Sequence, residues 1–174
     1  MKPNDRFSFL KNNRVSQDPT TLVQCYLPII GQDALSLYLY TLAFWDDGQK
    51  EHLFAAILNH LNFGMDRLLK AFKILAAFNL VTLYQNGDGY KLVIHPTLSQ
   101  SDFLRHTVYR TLLEKRIGDT AVSDLRQEAA DGEALTVHLS QAFPEIEELA
   151  SHDETPVKAD FKNDFDLEHF RQLM

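Results

Sequence analysis

Residues 51–95 read EHLFAAILNHLNFGMDRLLKAFKILAAFNLVTLYQNGDGYKLVIH, and a change of period inside them decides the fold. Leu53, Phe54, Ile57, Leu58 and Leu61 recur at the i, i+3, i+4 spacing of a helix buried along one face. Asn62-Phe63-Gly64 interrupts that spacing. It resumes from Met65 to Asn79, with Leu68, Leu69, Phe72, Leu75 and Ala76 as the expected core stripe. Two helices joined by so short a break form a helix-turn-helix. The period then drops to two. Leu80–Tyr84 and Tyr90–His95 flank Gln85-Asn-Gly-Asp-Gly89, the pattern of a β-hairpin with a glycine-bearing turn. The sequence therefore predicts a mainly α chain with a small β-hairpin: a winged helix with extra C-terminal helices.

Upstream lies a second informative stretch, residues 26–45, YLPIIGQDALSLYLYTLAFW. From Ala34 to Trp45 it carries no charge. Leu35, Leu39, Leu42 and Phe44 cover one side of the helix, and Leu37, Tyr38, Tyr40 and Trp45 cover much of the rest. A helix apolar nearly all round is buried on more than one side, and this one is too short to cross a bilayer. It is either the central helix of the domain or one shared with a second chain. Gly31 and Asp33 mark its start and Asp46-Asp47-Gly48 its end. If Leu39 is fully buried, Leu39→Ala should cost about 2–5 kcal/mol.

Asp18-Pro19 opens an earlier helix through Ile30, with Pro28 kinking its last turn. Residues 1–18 form an N-terminal arm in which Phe7-Ser8-Phe9 alternates like a short strand. The arm either docks on another surface or is a disordered leader. Past the hairpin, Phe103–Ile117 reads as one helix closed by Gly118, with Leu104, Val108, Leu112 and Leu113 inward, and a shorter helix covers residues 121–129. Residues 19–132 thus make the winged-helix domain with its following helices. Residues 133–174 make an acidic extension, with an extended piece at 135–139 and a linker at 151–160. Phe165–Met174 opens a helical pattern without closing it, as the front of a further C-terminal domain would.

The charge is unevenly placed. Residues 1–132 hold 14 Lys+Arg and 14 Asp+Glu, whereas residues 133–174 hold 3 and 10, so the whole net charge of −7 lies in the last quarter. No overall field draws the chain to nucleic acid. The single cysteine, Cys25, excludes an internal disulfide and a multi-cysteine metal site. None of the seven histidines pairs with another at i, i+4. Asp164, Asp166, Glu168 and His169 are close enough in sequence to hold a cation weakly, though a solvated helix start accounts for them more simply. No phosphate-binding or dinucleotide glycine motif and no framed nucleophile occurs, so the chain reads as a non-enzyme without cofactor. Without a signal segment it reads as cytoplasmic.

What remains is binding. In a winged helix the second helix of the helix-turn-helix enters the major groove and the wing touches the backbone. Here that helix offers Arg67, Lys70 and Lys73 on one flank, and the wing offers Lys91. Three or four phosphate contacts support only weak, salt-sensitive DNA binding, and no Asn or Gln shares the flank to read adenine. A solvated helix face explains the same charges. The expected chain–chain contacts are Phe7, Phe9 and Leu10 of the arm, Tyr38, Tyr40 and Trp45 of the central helix, and the helix after the wing.

Several blocks together resemble the DnaB/DnaD family of Gram-positive primosomal proteins. They are Tyr26-Leu-Pro-Ile-Ile-Gly31, Ala34-Leu-Ser-Leu-Tyr38, Leu68–Leu83, His95-Pro96-Thr-Leu-Ser99 with Phe103, Leu113–Gly118 and Phe161–Met174. The likeness is nearer to the N-terminal region of its DnaB-type replication initiation and membrane attachment branch, the helicase co-loaders. The resemblance implies a domain that self-associates into dimers or tetramers. It also implies work in replication initiation beside a DnaD-type protein, the helicase loader and the replicative helicase, with any membrane link indirect. The family's tyrosine-isoleucine-arginine-tryptophan motif for single-strand DNA is absent, since Trp45 is the only tryptophan. The rival reading, from the residues alone, is a winged-helix transcriptional regulator that grips duplex DNA through Arg67, Lys70 and Lys73.

Overall fold

A computed structural model of the chain describes residues 1–125 and 135–145. The chain divides into two compact units, Met1–Glu128 and Ala129–Met174. In the first, strand β1 (Arg6–Phe9) is followed by a helical turn α1 (Pro19–Thr21), a π-helical turn (Leu22–Tyr26) and α2 (Leu27–Phe44). Next come β2 (His52–Leu53), α3 (Phe54–Leu61), α4 (Met65–Ala77) and the hairpin β3 (Val81–Asn86) and β4 (Gly89–Ile94). Helices α5 (Gln100–Arg105), α6 (Thr107–Ile117) and α7 (Asp119–Leu125) complete it. The described part of the second unit contains one short helix, α8 (Leu139–Ala142). The extended piece expected at 135–139 has no strand partner at residues 135–138. The linker expected at 151–160, the helical pattern at 165–174 and the 164–169 acidic cluster lie outside the described residues.

Helix, break, helix and hairpin stand where the change of period put them. Asn62 ends α3 in the left-handed conformation (φ 57°), which asparagine tolerates. Gly87 (φ 61°) takes the first position of a two-residue hairpin turn, where a positive φ is needed. The sheet is larger than a hairpin, however. Its order is β2-β1-β4-β3, with β1 parallel to β4 and antiparallel to β2. The arm is thus the sheet's third full strand. Phe7 and Phe9 point into the core, and the Leu10 N–H donates to the Leu92 carbonyl at 3.0 Å. Beyond it the Asn13 side-chain amide stands in for a strand. It donates to the Ile94 carbonyl at 2.8 Å and accepts the Ile94 N–H at 2.7 Å.

Before α2, Asp18 caps and Pro19 opens the helix, the Asp18 carboxylate accepting the Thr20 N–H at 3.0 Å. Pro28 has no N–H to offer the carbonyl four residues back. The chain widens there into a π turn, in which the Leu27 N–H reaches the Leu22 carbonyl. Gly31 (φ 85°, ψ 173°) breaks the helix, and the chain re-enters it at Gln32.

Of the two apolar sides of the central helix, the one carrying Leu37, Tyr38 and Tyr40 is the buried one, and Leu39 is not fully buried. Ala34, Leu37, Tyr38, Tyr40 and Thr41 face inward, while Leu39 and Phe44 are 46% and 42% exposed and Leu35 and Leu42 are half-buried. On the inward stripe one hydroxyl, that of Tyr38, finds a partner outside the helix. Tyr38 Oη donates to the His95 carbonyl at 2.6 Å, and Thr41 Oγ1 donates to the Tyr38 carbonyl at 2.7 Å. In α4 the buried set is Leu68, Ala71, Phe72 and Leu75, with Leu69 and Ala76 at the surface. The helix expected over 103–117 is two, divided at His106, whose ring Nδ1 accepts the Tyr109 N–H at 3.3 Å and caps α6. Val108 accordingly turns outward at 60% exposed, and Tyr109 packs on Phe78 and Phe103 instead.

Candidate docking surface around α2 and α4

The basic flank of α4 is only partly free. Arg67 is committed to Asp33 at the restart of α2, through Nε at 2.8 Å and Nη2 at 2.6 Å, and its guanidinium lies 5.0 Å over the Phe63 ring. These bonds hold the Asp33 carboxyl below the ordinary carboxylate range, helped by the charges of Arg67 and Lys70 and opposed by slight desolvation. On the wing, Lys91 Nζ donates to Ser8 Oγ at 3.0 Å. Ser8 and Tyr84 are the ladder partners of Lys91, so all three share one face of the sheet. That leaves Lys70 and Lys73 as exposed cations making no ion pair among the described residues. Of the four residues expected to meet DNA, two, Arg67 and Lys91, have partners of their own within the fold.

Of the residues expected at a chain–chain contact, Phe7, Phe9, Tyr38 and Tyr40 are 1%, 0%, 0% and 7% exposed, so their side chains fill the core of their own chain. Phe7 stacks on Phe54 at 4.9 Å, and Phe54 meets Phe72 and Tyr90 edge-on. Leu10 and Trp45 do reach the surface, and together: Trp45 Nε1 donates to the Leu10 carbonyl at 3.1 Å, fastening the arm to the end of α2. What the residue-type reading missed is the outward row of α2. Leu35, Ser36, Leu39, Leu42 and Ala43 recur at helical spacing, all at least partly exposed and none charged. Its signal was the uncharged run itself, which offers two apolar stripes where a surface helix normally has one.

Little reactive chemistry gathers. No group of three or more His, Cys, Asp or Glu suited to a metal ion occurs among the described residues. The Cys25 thiol is buried, which pushes its pKa up to about 11. His52 Nε2 and Asp46 Oδ2 lie 2.9 Å apart, and the other Asp46 oxygen accepts the Gly48 N–H. That pair ties the turn after α2 to β2.

The family model for the DnaB N-terminal winged helix domain matches residues 1–174. Among solved structures, the crystal structure of primosome protein DnaB, residues 1–300, from Geobacillus stearothermophilus is similar with a TM-score of 0.68. The two chains are 18% identical, and the match covers 81% of this chain and 59% of that one, so the likeness carries the fold alone. No curated protein matches. A winged helix is the fold the period change dictates here, and the chain belongs to the DnaB N-terminal winged helix domain family.

Proposed function

We propose that this chain is the self-associating N-terminal module of a DNA-replication initiation protein, which assembles the primosome and helps load the replicative helicase without chemistry of its own. Family membership supports the replication setting. The observation that carries the self-association is the outward row of α2. Leu39 is nearly half exposed between half-buried Leu35 and Leu42, with no charge from Ala34 to Trp45 to keep a partner away. In this reading a second copy covers that row, giving a dimer or tetramer. Other faces meet a DnaD-type protein, the helicase loader and the helicase in the cytoplasm. No helix among the described residues is long and apolar enough to cross a membrane, and membrane contact is made through those partners.

Light scattering across a concentration series tests the reading. The wild-type chain should form a stable dimer or larger, and Leu39→Glu should disperse it while the far-ultraviolet spectrum stays unchanged. A wild-type monomer at about 100 μM, or a Leu39→Glu protein that associates as before, refutes it. DNA contact in this reading is weak and non-specific and rests mainly on Lys70 and Lys73, since Asp33 takes two of the three nitrogens of Arg67 and fixes it in place. Sequence-selective duplex binding abolished by Lys70→Glu with Lys73→Glu would instead favour a transcriptional regulator.

A further inference from the structure

A groove opens beside that flank, about 510 Å3 in volume, between the restart of α2, the outward side of α4 and the last turn of α6. Its apolar wall is Ile29 and Ile74, both only partly buried against the core. Its rim carries Arg67, Lys70 and Arg116 against one carboxylate, Asp33. Lys70 and Arg116 make no ion pair among the described residues. Arg67 gives two of its three nitrogens to Asp33 and keeps Nη1 for a further acceptor. The rim is therefore left with a cationic excess beside an apolar wall, three helices contributing.

We propose that this groove docks an acidic peptide segment with an aliphatic anchor, presented by a partner protein. Charge and shape both narrow the occupant. A bare phosphate chain would use the rim and gain nothing from the isoleucines. A single-stranded nucleic acid would stack its bases on flat aromatic side chains, and none lines the groove. A neutral apolar peptide would leave Lys70 and Arg116 unanswered at the rim. A segment alternating Glu with Leu or Ile answers both: carboxylates at Lys70, Arg116 and the free edge of Arg67, an aliphatic side chain against Ile29 and Ile74. Asp33 acts as the selector, because it holds Arg67 in place and repels carboxylates from one end of the rim, which fixes the direction in which the peptide lies.

The inference rests on reading the chain as a docking module, and one set of samples keeps the two apart. The whole chain is titrated into a fluorescein-labelled peptide of alternating glutamate and leucine, with anisotropy as the readout. Parallel titrations use a Glu-to-Gln peptide, a Leu-to-Ser peptide and a short labelled DNA duplex. Binding should weaken about tenfold or more for each altered peptide, and likewise for Lys70→Glu with Arg116→Glu. The milder Lys70→Ala with Arg116→Ala should fall between, and serves if the charge reversal disturbs the fold. Absence of binding up to about 1 mM, equal affinity for the altered peptides, or unchanged affinity in both double variants overturns the proposal. So does a duplex that binds more tightly than the peptide and is the one lost on charge reversal. Light scattering on the same samples reads self-association, which the groove does not serve: a chain that associates but ignores the peptide sinks the groove alone.

Discussion

Phe9→Ala and Leu39→Ala make a contrast that the architecture dictates and hydrophobicity alone would not. Phe9 has no exposed surface, stands 5.6 Å edge-on from Phe7 and 5.3 Å from the His52 ring, and is held by the parallel ladder to β4. Truncating a phenyl group there removes its transfer free energy and leaves a sealed cavity, together about 3–5 kcal/mol. Leu39 is 46% exposed. Only about half of the 1.5–3 kcal/mol of a leucine's burial is at stake, and water fills the space, so the loss is about 1 kcal/mol. In urea, with a slope of about 2 kcal/mol/M, the first change lowers the midpoint by about 2 M and the second by about 0.5 M. The melts must be run dilute, because under the proposed self-association Leu39 would gain a second burial when a copy covers α2. At high concentration the same Leu39→Ala protein should associate more weakly. A Phe9→Ala loss below about 1 kcal/mol would mean that β1 is not part of the core. A Leu39→Ala loss exceeding it in dilute solution would put α2 the other way round.

Other consequences are as direct. Gly31→Ala should destabilise by about 1–3 kcal/mol although nothing lies within 4 Å of the added methyl, because φ 85° with ψ 173° is open essentially to glycine alone; a neutral result would show that the break relaxes. The Cys25 thiol should resist iodoacetamide in the folded chain and react in proportion to the unfolded fraction as urea is added; rapid stoichiometric labelling without denaturant would contradict its burial. Its pKa of about 11 when folded lies above the unfolded value, so the unfolded chain sheds the proton first and stability should fall as pH rises past about 9. Asp33→Asn should cost little at neutral pH, since the Arg67–Asp33 pair is solvent-exposed. Because the folded carboxyl titrates below its unfolded value, that small contribution is complete above the ordinary carboxylate range and disappears as pH falls through the depressed one. Urea midpoints of wild type and variant should converge in acid, and a gap that persists there would assign the effect to something other than the ion pair.

Which parts of this fold the sequence could disclose depends on whether a signal is local. The break at Asn62-Phe63-Gly64 and the turn at Gly87-Asp88 are punctuation, and period on either side of them names helix or strand without reference to the rest of the chain. Strand β2 has two residues and no period; it exists because β1 lies beside it, and β1 lies there because Phe7 and Phe9 have a core to enter. The alternation of Phe7-Ser8-Phe9 was readable as a strand, but its parallel pairing with β4 joins residues about eighty positions apart, a choice no window contains. On α2 the two apolar stripes are indistinguishable by hydrophobicity, and what sets one apart is the Tyr38 hydroxyl, whose acceptor, the His95 carbonyl, comes from elsewhere in the chain. The His106 cap fails for a related reason: histidine is a rare helix start, so the spacing ran through it and put Val108 inward.

The same distinction governs the surface. Arg67, Lys70 and Lys73 lie along one helix, which is all that spacing can count. Whether a cation there is available depends on what stands across from it, and for Arg67 the answer is Asp33, on another helix. A guanidinium answered on two nitrogens at 2.6–2.8 Å is no longer a mobile phosphate contact but a fixed part of the groove, with one nitrogen left for an acceptor. A flank reduced from three mobile cations to two beside that fixed one has lost reach along a DNA backbone, where affinity grows with the number of phosphates neutralised. It has acquired shape, the property by which one protein surface selects another.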